Sequence, residues 1–494
     1  MTTLTAAQLA DPAKPRNIVE AILYWTINLT WLFYAIGALY IVGPVLGWPL
    51  MMLALLAMYL GQDFPKDLRA QPIPFGVLVW VFFMFLMLVV LWVGHVNYDK
   101  GLGPTIKSSV GWAKGWALFF VFQIIGAVIP IRREPLIRAQ CIVGLQCLIL
   151  LPIFVAAPMV GLPEKLFVSP LKAVGGPGPE YFSVYLYTID PSNGASRWQF
   201  YAPWSPFAGL LGVIMVLMAL EEKKPFWMIC GVLAGLAMVM MTKSRMAMLG
   251  VIVCATIPRV MPLVFKSWAW GVAAAVTGSM AIIGGLVLQT ISDAIYAFRA
   301  ARADSTRVRD NLNNIAYERW GSEAPWFGHA TVGAGAHVTE FMKIGTHHTW
   351  YGLLFVKGFF GLICLVIPVL YSLCEFLIMA AISPKGRLPL GLLLGMMFFS
   401  FGENLEVQAY LFWPATVILG LAARENLVDG ITASVMNKRA ADARRQPAKA
   451  RALISVAGEP SPRKATQAKR TSVPKMPRRP APAGLRPTRP RRRT

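Results

Sequence analysis

Charged side chains are scarce in this chain: Asp, Glu, Lys and Arg make up 14% of its residues, whereas hydrophobic residues make up 56%. Soluble domains have about one quarter charged residues. The composition therefore excludes an ordinary soluble protein and indicates one that crosses a membrane several times. Acidic residues are fewest, 24 against 47 Lys and Arg, and the basic surplus is concentrated after Asn437, where 18 basic residues accompany two acidic ones.

Motifs for disulfides and nucleotides are also missing. The six cysteines all lie inside apolar segments, where cysteine behaves as a small hydrophobe, so neither a disulfide framework nor a CxxC metal site is predicted. The sequence contains no GxxxxGKS/T and no GxGxxG with a flanking strand, which argues against a nucleotide site. Any reaction would then draw its energy from an activated substrate.

Long apolar runs predict an all-α polytopic membrane protein with about twelve transmembrane helices, since a span needs about 20 apolar residues. The run 18–60 is too long for one helix, and we expect the turns Gly43-Pro44 and Gly47-Trp48-Pro49 to divide it. Two long polar loops, 161–203 and 292–346, interrupt the later spans. Those spans are predicted at 73–94, 109–131 and 138–160, from Trp204, Pro225 and Arg245, and at 267–291, 348–380, 387–405 and 408–423.

The chain divides into three parts. Residues 1–17 lack a short apolar core with a cleavage site and are expected to be a cytosolic lead-in, and residues 18–425 form the transmembrane catalytic domain. Residues 426–494 are rich in Pro, Ala, Lys and Arg, which predicts a disordered basic tail. Such a tail would adhere to anionic lipids on the cytosolic face, and no aromatic pattern in it indicates nucleic-acid binding.

The positive-inside rule sets the orientation. It places the basic tail and the turn Ile131–Arg138 in the cytosol. An even number of spans then places the N-terminus in the cytosol as well, and both long polar loops outside. In a Gram-negative cell the outside is the periplasm, and the protein would be a multi-pass protein of the bacterial inner membrane.

Several cations lie on the side that this rule disfavours. The outside turn Met241–Leu249 carries Lys243 and Arg245, and arginine offers a bidentate fork to phosphate oxygens, so we favour an anionic ligand there. The loop 292–346 is rich in arginine too, but its segment 292–319 is predicted to be an amphipathic helix with a solvated charged face, which we favour for any single arginine of that helix. Its apolar positions are Val308, Leu312 and Ile315, and its arginines are Arg299, Arg302, Arg307, Arg309 and Arg319.

Four of the five histidines lie in or next to this loop: His329, His337, His347 and His348. Zinc binding is disfavoured, because adjacent side chains point about 100° apart on a helix and HExxH is absent. A structural role, such as capping the next span, is one alternative. The favoured interpretation is proton chemistry, since histidine titrates near neutral pH and accepts the proton of an attacking hydroxyl. Beside arginines that hold a phosphate leaving group, this predicts a glycosyl or phosphoryl transfer site.

Four stretches stand out in the second half of the membrane part. They are RWQFYAPWSPFAGLLG (Arg197–Gly212), MTKSRMAML (Met241–Leu249), ERWGSEAPWFGHATVGAG (318–335) and HHTWYGLLFVKGFFG (His347–Gly361). In this order they resemble motifs of the O-antigen ligase/polymerase superfamily, polytopic enzymes that use undecaprenyl-diphosphate-linked glycans. The resemblance departs at His348, where the family usually has asparagine, and at Trp204-Ser205-Pro206, where it has Pro-Asn. With the span layout it covers about residues 190–365.

The resemblance implies a metal-independent, inverting glycosyltransferase without a cofactor. Arg245 and Arg197 would bind the diphosphate of an undecaprenyl-diphosphate-linked glycan donor, with Arg307 assisting. His347 would accept the proton of a hydroxyl on a glycan or lipid-linked acceptor. Lys243, His348 and Lys357 are auxiliary candidates in the same stretches.

Other functions stay open at this point. Joining a finished glycan to a lipid and polymerising repeat units are not separated by the sequence, and neither is a protein O-oligosaccharyltransferase. A transporter or lipid flippase would have ionisable groups near the bilayer midplane. Lys357 is such a group, about 15 Å into its span from His347 by helix rise. It is expected to pair with Glu403 or Glu406, to contact lipid phosphate, or to extend towards the surface.

Overall fold

The computed structural model describes residues 11–456, except 191–193, 301–302, 336 and 340. The described part is mostly helical, as predicted for an all-α membrane protein. Its helices are α1 (Ile18–Asn28), α2 (Thr30–Ala35), α3 (Leu39–Leu60), α4 (Phe75–Asn97), α5 (Leu102–Lys114), α6 (Trp116–Val128), α7 (Arg133–Met159), α8 (Ser205–Ala219), α9 (Pro225–Met241), α10 (Arg245–Val260), α11 (Ser267–Ala300), α12 (Ala303–Glu323), α13 (Thr349–Ile382), α14 (Arg387–Ser400) and α15 (Leu405–Val456).

The polar loop after α7 contains the strands, which the sequence did not predict. They form two small antiparallel sheets, β1 with β2 and β3 with β4. The side-chain hydroxyl of Tyr34 joins the first sheet to α2, because it donates to the carbonyl of Tyr185 and accepts from its N–H. The strands are β1 (Lys165–Val168), β2 (Ser183–Tyr185), β3 (Thr188–Ile189) and β4 (Ser196–Arg197).

Helix length and hydropathy support a multi-pass membrane protein. Among the described residues, 7 helices are long and apolar enough to cross a membrane. Of the three shorter apolar helices, α1 precedes the long ones, and α8 and α9 lie between two of them in sequence. The predicted number of about twelve spans is not confirmed. The long helices are Leu39–Asp63, Phe75–Asn97, Leu102–Val128, Arg133–Met159, Arg245–Phe265, Thr349–Ile382 and Leu405–Gly430.

The first apolar run is divided elsewhere than predicted. Gly43-Pro44 and Gly47-Trp48-Pro49 both lie inside α3, and the chain turns instead around Gly37, which has a φ of +67°. The two glycines of α3 serve close packing. A Cβ at Gly43 would lie 3.0 Å from the carbonyl oxygen of Tyr410, and one at Gly47 would lie 3.0 Å from the ring of Phe122. Turn-forming residues in this run therefore mark helix contacts, which the local sequence does not distinguish from turns.

The core centres on α6, every residue of which is buried. It packs against α3 and α4. Gly126 and Gly420 allow α6 and α15 to approach backbone to backbone, because a Cβ at either glycine would collide with the other helix. Large aromatic side chains, including those of Trp80, Trp116 and Phe119, fill the space around these helices. A helix without a polar face is expected at the centre of such a bundle.

The amphipathic helix predicted at 292–319 is α12, which begins only at Ala303, because α11 continues through residue 292 to Ala300. Its predicted apolar face is confirmed. Val308 and Leu312 are buried against Ile344 and Phe355, and Ile315 is partly buried on the same cluster. This contact attaches α12 to the first turns of α13, next to His347 and His348.

The turn Ile131–Arg138, which the charge pattern predicted to be cytosolic, is held by ion pairs. Arg132 forms an ion pair with Glu20 at 2.7 Å, and Arg133 pairs with Glu425 and also donates to the carbonyl of Lys385 at 2.9 Å. These contacts join the start of α7 to α1, to α15 and to the turn before α14.

The predicted tail is helical in its described part. Helix α15 continues to Val456 and so includes residues 426–456 of the segment for which the sequence predicted disorder. The chain forms two compact units, the first ending at Ile431 and the second beginning at Thr432. Residues 457–494 lie outside the described residues.

Candidate functional site

The two stretches around His347 and His329 are joined through a break in α13. Gly358 has φ 65° and ψ −165°, so the helix is interrupted there. Four backbone hydrogen bonds to the loop before α13 replace those lost within the helix. They run from His329 N to Phe355 O (2.8 Å), from Ala330 N to Val356 O (3.0 Å), from Phe359 N to Pro325 O (2.9 Å) and from Phe360 N to Trp326 O (3.1 Å).

Two glycines make this junction possible. A Cβ at Gly358 would collide with the carbonyl group of Trp326, and a Cβ at Gly328 would collide with the backbone between Val356 and Gly358. Both glycines also have positive φ, which other residues adopt only with strain. The stretches 318–335 and His347–Gly361, which are separate in sequence, are thus joined by backbone hydrogen bonds. These bonds hold the first part of α13 in place.

His347 and His348 have different environments, as the geometry of adjacent residues suggested. His348 is the N-cap of α13, and its Nδ1 accepts hydrogen bonds from the N–H groups of Trp350 (3.2 Å) and Tyr351 (3.5 Å). Burial first, and the charge of Arg309 second, lower its pKa to about 4, which suits an unprotonated acceptor nitrogen. The capping role weighed for the histidines is the one His348 has.

The His347 ring is half-buried and holds no helix cap. Burial, and then the charge of Arg309, lower its pKa below the usual range of histidine. An imidazole with a lowered pKa is neutral at neutral pH and is able to accept a proton. Of the two neighbours, His347 is therefore the one suited to act as a base.

The segment that carries His347 is anchored to the loop between α14 and α15. Thr349 donates to the carbonyl of Glu403 from its N–H (3.1 Å) and from its Oγ1 (2.6 Å). The carboxylate of Glu403 accepts from Trp204 Nε1 at 2.8 Å and from Gln408 Nε2 at 3.1 Å. Trp204 precedes α8, so Glu403 joins the histidine segment to the stretch that contains Arg197.

Arg197 contacts the turn that leads to Arg245. Its Nε and Nη2 lie 3.4 and 3.3 Å from the carbonyl oxygen of Thr242, and its Nη1 lies 3.7 Å from the carboxylate of Asp190. Lys243 follows Thr242 with φ 51°, and Ser244 caps α10, whose first residue is Arg245. The structure thus brings together the two stretches from which the sequence predicted a diphosphate clamp.

Arg309 of α12 acts electrostatically on this region. Its charge lowers the pKa of both His347 and His348 and opposes the rise that burial causes in the pKa of Glu403. Arg307, which the family resemblance implied as an assisting residue, has an exposed side chain. From the sequence, we predicted that Arg309 belongs to the solvated charged face of its helix. The rotation of α12 about its axis, relative to α13, decides which arginine faces inward. The spacing of apolar residues alone does not determine this rotation.

Arg319 illustrates the solvated role that we favoured for the arginines of this helix. It forms a 2.9 Å ion pair with Glu323 four residues later, and Arg319 first and His329 second lower the pKa of Glu323 to about 2. His329 stacks on the ring of Phe355 at 4.2 Å. These contacts support the loop at the helix break and do not involve His347.

Lys357 lies at the break in α13 and is only 4% exposed. Its ammonium group is 3.8 Å from the carboxylate of Glu406, so pairing with Glu406 is the one of the predicted alternatives that the structure confirms. Glu403, the other predicted partner, instead bonds to Trp204 and Gln408. The Lys357–Glu406 pair joins α13 to α15.

Replacing Glu406 with Gln is expected to destabilise the fold by roughly 3 kcal/mol, because it leaves a buried ammonium group without a counter-charge. The double variant Lys357→Met, Glu406→Gln removes both charges and is expected to recover much of this loss. Thermal unfolding of the detergent-purified variants checks this. Equal stability of the single and double variants would show that the pair does not compensate Lys357.

Comparison with known proteins leaves the family of this chain undetermined: no family model and no curated protein matches the sequence.

Proposed function

We propose that this chain is a bacterial membrane glycosyltransferase of the O-antigen ligase or polysaccharide polymerase type. It would transfer a glycan from an undecaprenyl-diphosphate donor to an acceptor hydroxyl at the periplasmic face of the inner membrane. The observation that carries the proposal is the hydrogen-bonded link between the segment of His347 and the stretch that contains Arg197. Thr349 donates to the carbonyl of Glu403, and Trp204 donates to the carboxylate of the same residue. The His347 ring is half-buried, and burial first and the charge of Arg309 second lower its pKa.

These groups suit a displacement at an anomeric carbon. The acceptor oxygen attacks the anomeric carbon of the donor sugar, and its proton moves to the neutral imidazole of His347. The bond between that carbon and the diphosphate oxygen breaks, and the configuration inverts. Arg197 and Arg245 stabilise the negative charge that develops on the leaving diphosphate, as preorganised cations do in other transfer reactions.

The membrane arrangement is part of the proposal. Shorter apolar helices such as α1, α8, α9 and α14 would complete about twelve spans together with the long ones, with both termini in the cytosol. The histidine segment and the Arg197–Thr242 contact would then lie at the periplasmic face of the inner membrane. Undecaprenyl diphosphate released there would re-enter the bilayer directly, and the basic residues after Asn437 would contact anionic lipids on the cytosolic face.

A transporter or lipid flippase is the second candidate, and the Lys357–Glu406 pair favours it. Ionisable residues within spans often lie on substrate or proton pathways. The two functions differ in where substrate collects when the protein is absent. In a deletion strain, loss of a transferase leaves lipid-linked glycan in the outer leaflet, whereas loss of a flippase leaves it in the inner leaflet.

The test is therefore the sidedness of lipid-linked glycan in a strain that lacks this gene, measured by accessibility to a glycan-cleaving enzyme added outside spheroplasts. Accumulation in the outer leaflet with loss of long surface polysaccharide supports the proposal. Accumulation in the inner leaflet supports the flippase, and unchanged lipid-linked pools and polysaccharide contradict both. Complementation with the wild-type gene controls for effects on neighbouring genes.

The pH dependence of transfer follows from His347. Because its pKa is lowered, the neutral base is present throughout the neutral range, and kcat is expected to fall only as pH drops through this lowered value. Arg309→Gln removes the second cause of the shift and is expected to move the acidic limb of the profile to higher pH. Profiles of kcat for wild type and variant check this, and a limb that stays in place would mean that Arg309 does not act on the base.

A further inference from the structure

Lys357 and Glu406 form an ion pair that the mechanism above does not use. The lysine is 4% exposed, and its Nζ lies 3.8 Å from Oε2 of Glu406, which is longer than the about 2.8 Å of a charged hydrogen bond. Within the part of the chain that the structure describes, neither side chain makes a hydrogen bond. The N–H groups of the ammonium and the oxygens of the carboxylate are therefore able to bond to a ligand.

Two helix interruptions meet at this pair. Gly358 interrupts α13 directly after Lys357, and Gly115 separates α5 from α6, where a Cβ would lie 2.8 Å from Cγ of Glu406. The side chain of Glu406 is 28% exposed, whereas that of Lys357 is 5% exposed, so a ligand reaches the pair from the Glu406 side. Interrupted membrane helices commonly adjoin substrate sites.

The pair is attached to the same short stretch of chain as the histidine segment. Thr349 donates to the carbonyl of Glu403, and Lys357 pairs with Glu406 at the start of α15. Thr349 and Lys357 are the two ends of the first part of α13, about 12 Å apart by helix rise. Helix side chains tilt towards the N-terminus, which shortens the path from the Lys357 ammonium to His347. A glycan of a few sugar rings would span that path.

A positive and a negative group side by side suit a neutral ligand with hydroxyl groups. A sugar hydroxyl accepts a hydrogen bond from the ammonium of Lys357 and donates one to the carboxylate of Glu406, and both of these bonds are strengthened by the charge. A phosphate is disfavoured, because its negative charge would face the carboxylate. The pair therefore favours a sugar over the lipid phosphate that the sequence left open for Lys357.

We propose that Lys357 and Glu406 form a sugar-binding subsite, at which hydroxyl groups of a glycan substrate bond to both side chains while His347 acts on the reacting hydroxyl. The inference rests on the proposed function. No covalent bond changes at the pair, since its role is to bind and orient the glycan. The donor glycan and a glycan acceptor both carry such hydroxyl groups, and kinetics with each substrate distinguish the two sources.

The experiment is steady-state transfer kinetics with the full, purified protein in liposomes. The substrates are lipid-linked glycan and acceptor lipid extracted from the deletion strain, separated by chromatography and varied in turn. The variant is Lys357→Met, Glu406→Gln, which removes both charges and leaves no buried ion unpaired. The KM for the substrate whose sugar binds at the pair is expected to rise by about 10- to 100-fold, as for the loss of hydrogen bonds to charged groups.

Inorganic pyrophosphate tests whether the pair binds sugar and not phosphate. Its affinity, measured by calorimetric titration, is expected to be equal in wild type and the double variant, because Arg197 and Arg245 would bind the diphosphate. A loss of pyrophosphate affinity as large as the rise in KM would overturn the assignment to a sugar. Lys385→Met, Asp429→Asn removes an exposed ion pair of 2.7 Å and is the matched control, expected to keep both wild-type KM values.

Unchanged KM values for both substrates in a folded double variant would overturn this subsite and leave the proposed function intact. A wild-type protein that transfers no glycan would contradict the proposed function and this subsite together. If the double variant does not fold, Glu406→Asp keeps a charge beside Lys357 but withdraws the carboxylate by one methylene group. The same KM is then expected to rise, and unchanged KM values in that variant would equally overturn the subsite.

Discussion

Replacing His347 with Ala is expected to lower kcat for glycan transfer by roughly 10²- to 10⁴-fold, the range found when a general base is removed. The KM for the donor is expected to change little, because the arginines and not the imidazole would bind the diphosphate. Steady-state kinetics with purified protein, lipid-linked donor and acceptor measure both quantities. A kcat within a few-fold of wild type would contradict the role of His347 as base.

His348 provides the matched control for this experiment. Its Nδ1 caps α13, and asparagine is among the best N-cap residues. His348→Asn is therefore expected to keep both stability and kcat close to wild type. His348→Ala removes the cap and is expected to cost about 1 kcal/mol of stability with a smaller effect on kcat than His347→Ala. If His348→Asn lost activity as strongly as His347→Ala, the two histidines would have to act together.

Replacing Gly358 with Ala is expected to destabilise the protein by roughly 3 kcal/mol or more. Its φ and ψ lie in a region that is essentially restricted to glycine, and the added Cβ would also collide with the backbone of Trp326, which adds the cost of overpacking. The four hydrogen bonds across the helix break would weaken together, so the loop from Pro325 to Ala330 would lose its contacts. Thermal unfolding in detergent measures the effect.

Gly321→Ala is the control for this substitution. Gly321 lies in the last turns of α12, and a Cβ there would meet no other atom within 4 Å. Alanine is a better helix former than glycine by up to about 1 kcal/mol, so this variant is expected to be as stable as wild type or slightly more stable. Equal destabilisation of both variants would show that Gly358 is not specially constrained.

Much of the helical pattern was predictable from apolar runs, because a helix surrounded by lipid and other helices needs few polar residues. The spans predicted from Pro225 and Arg245 begin where α9 and α10 do. The division of the run 18–60 was wrong, since Gly43 and Gly47 are glycines of helix packing. That distinction depends on Tyr410 and Phe122, which lie far away in sequence.

The site was predictable in part. The sequence separated His347 from His348, and it identified Arg197 and the turn before Arg245 as segments that the structure then places in contact through Thr242. It missed the electrostatic role of Arg309 and the position of Glu403 next to the histidine segment. Glu403 was considered only as a partner for Lys357. Its contacts with Trp204 and Thr349 span about 200 and 50 residues, and no local pattern encodes them.

The most direct test of the central claim is a transfer assay with the purified full-length protein in liposomes that contain an undecaprenyl-diphosphate-linked glycan and an acceptor. The measurement is the release of undecaprenyl diphosphate together with the anomeric configuration of the product. We expect wild type to release undecaprenyl diphosphate together with an inverted product, and we expect both to be strongly reduced in Arg197→Gln, Arg245→Gln and His347→Ala. Movement of the lipid-linked glycan across the bilayer without any release of undecaprenyl diphosphate would contradict it.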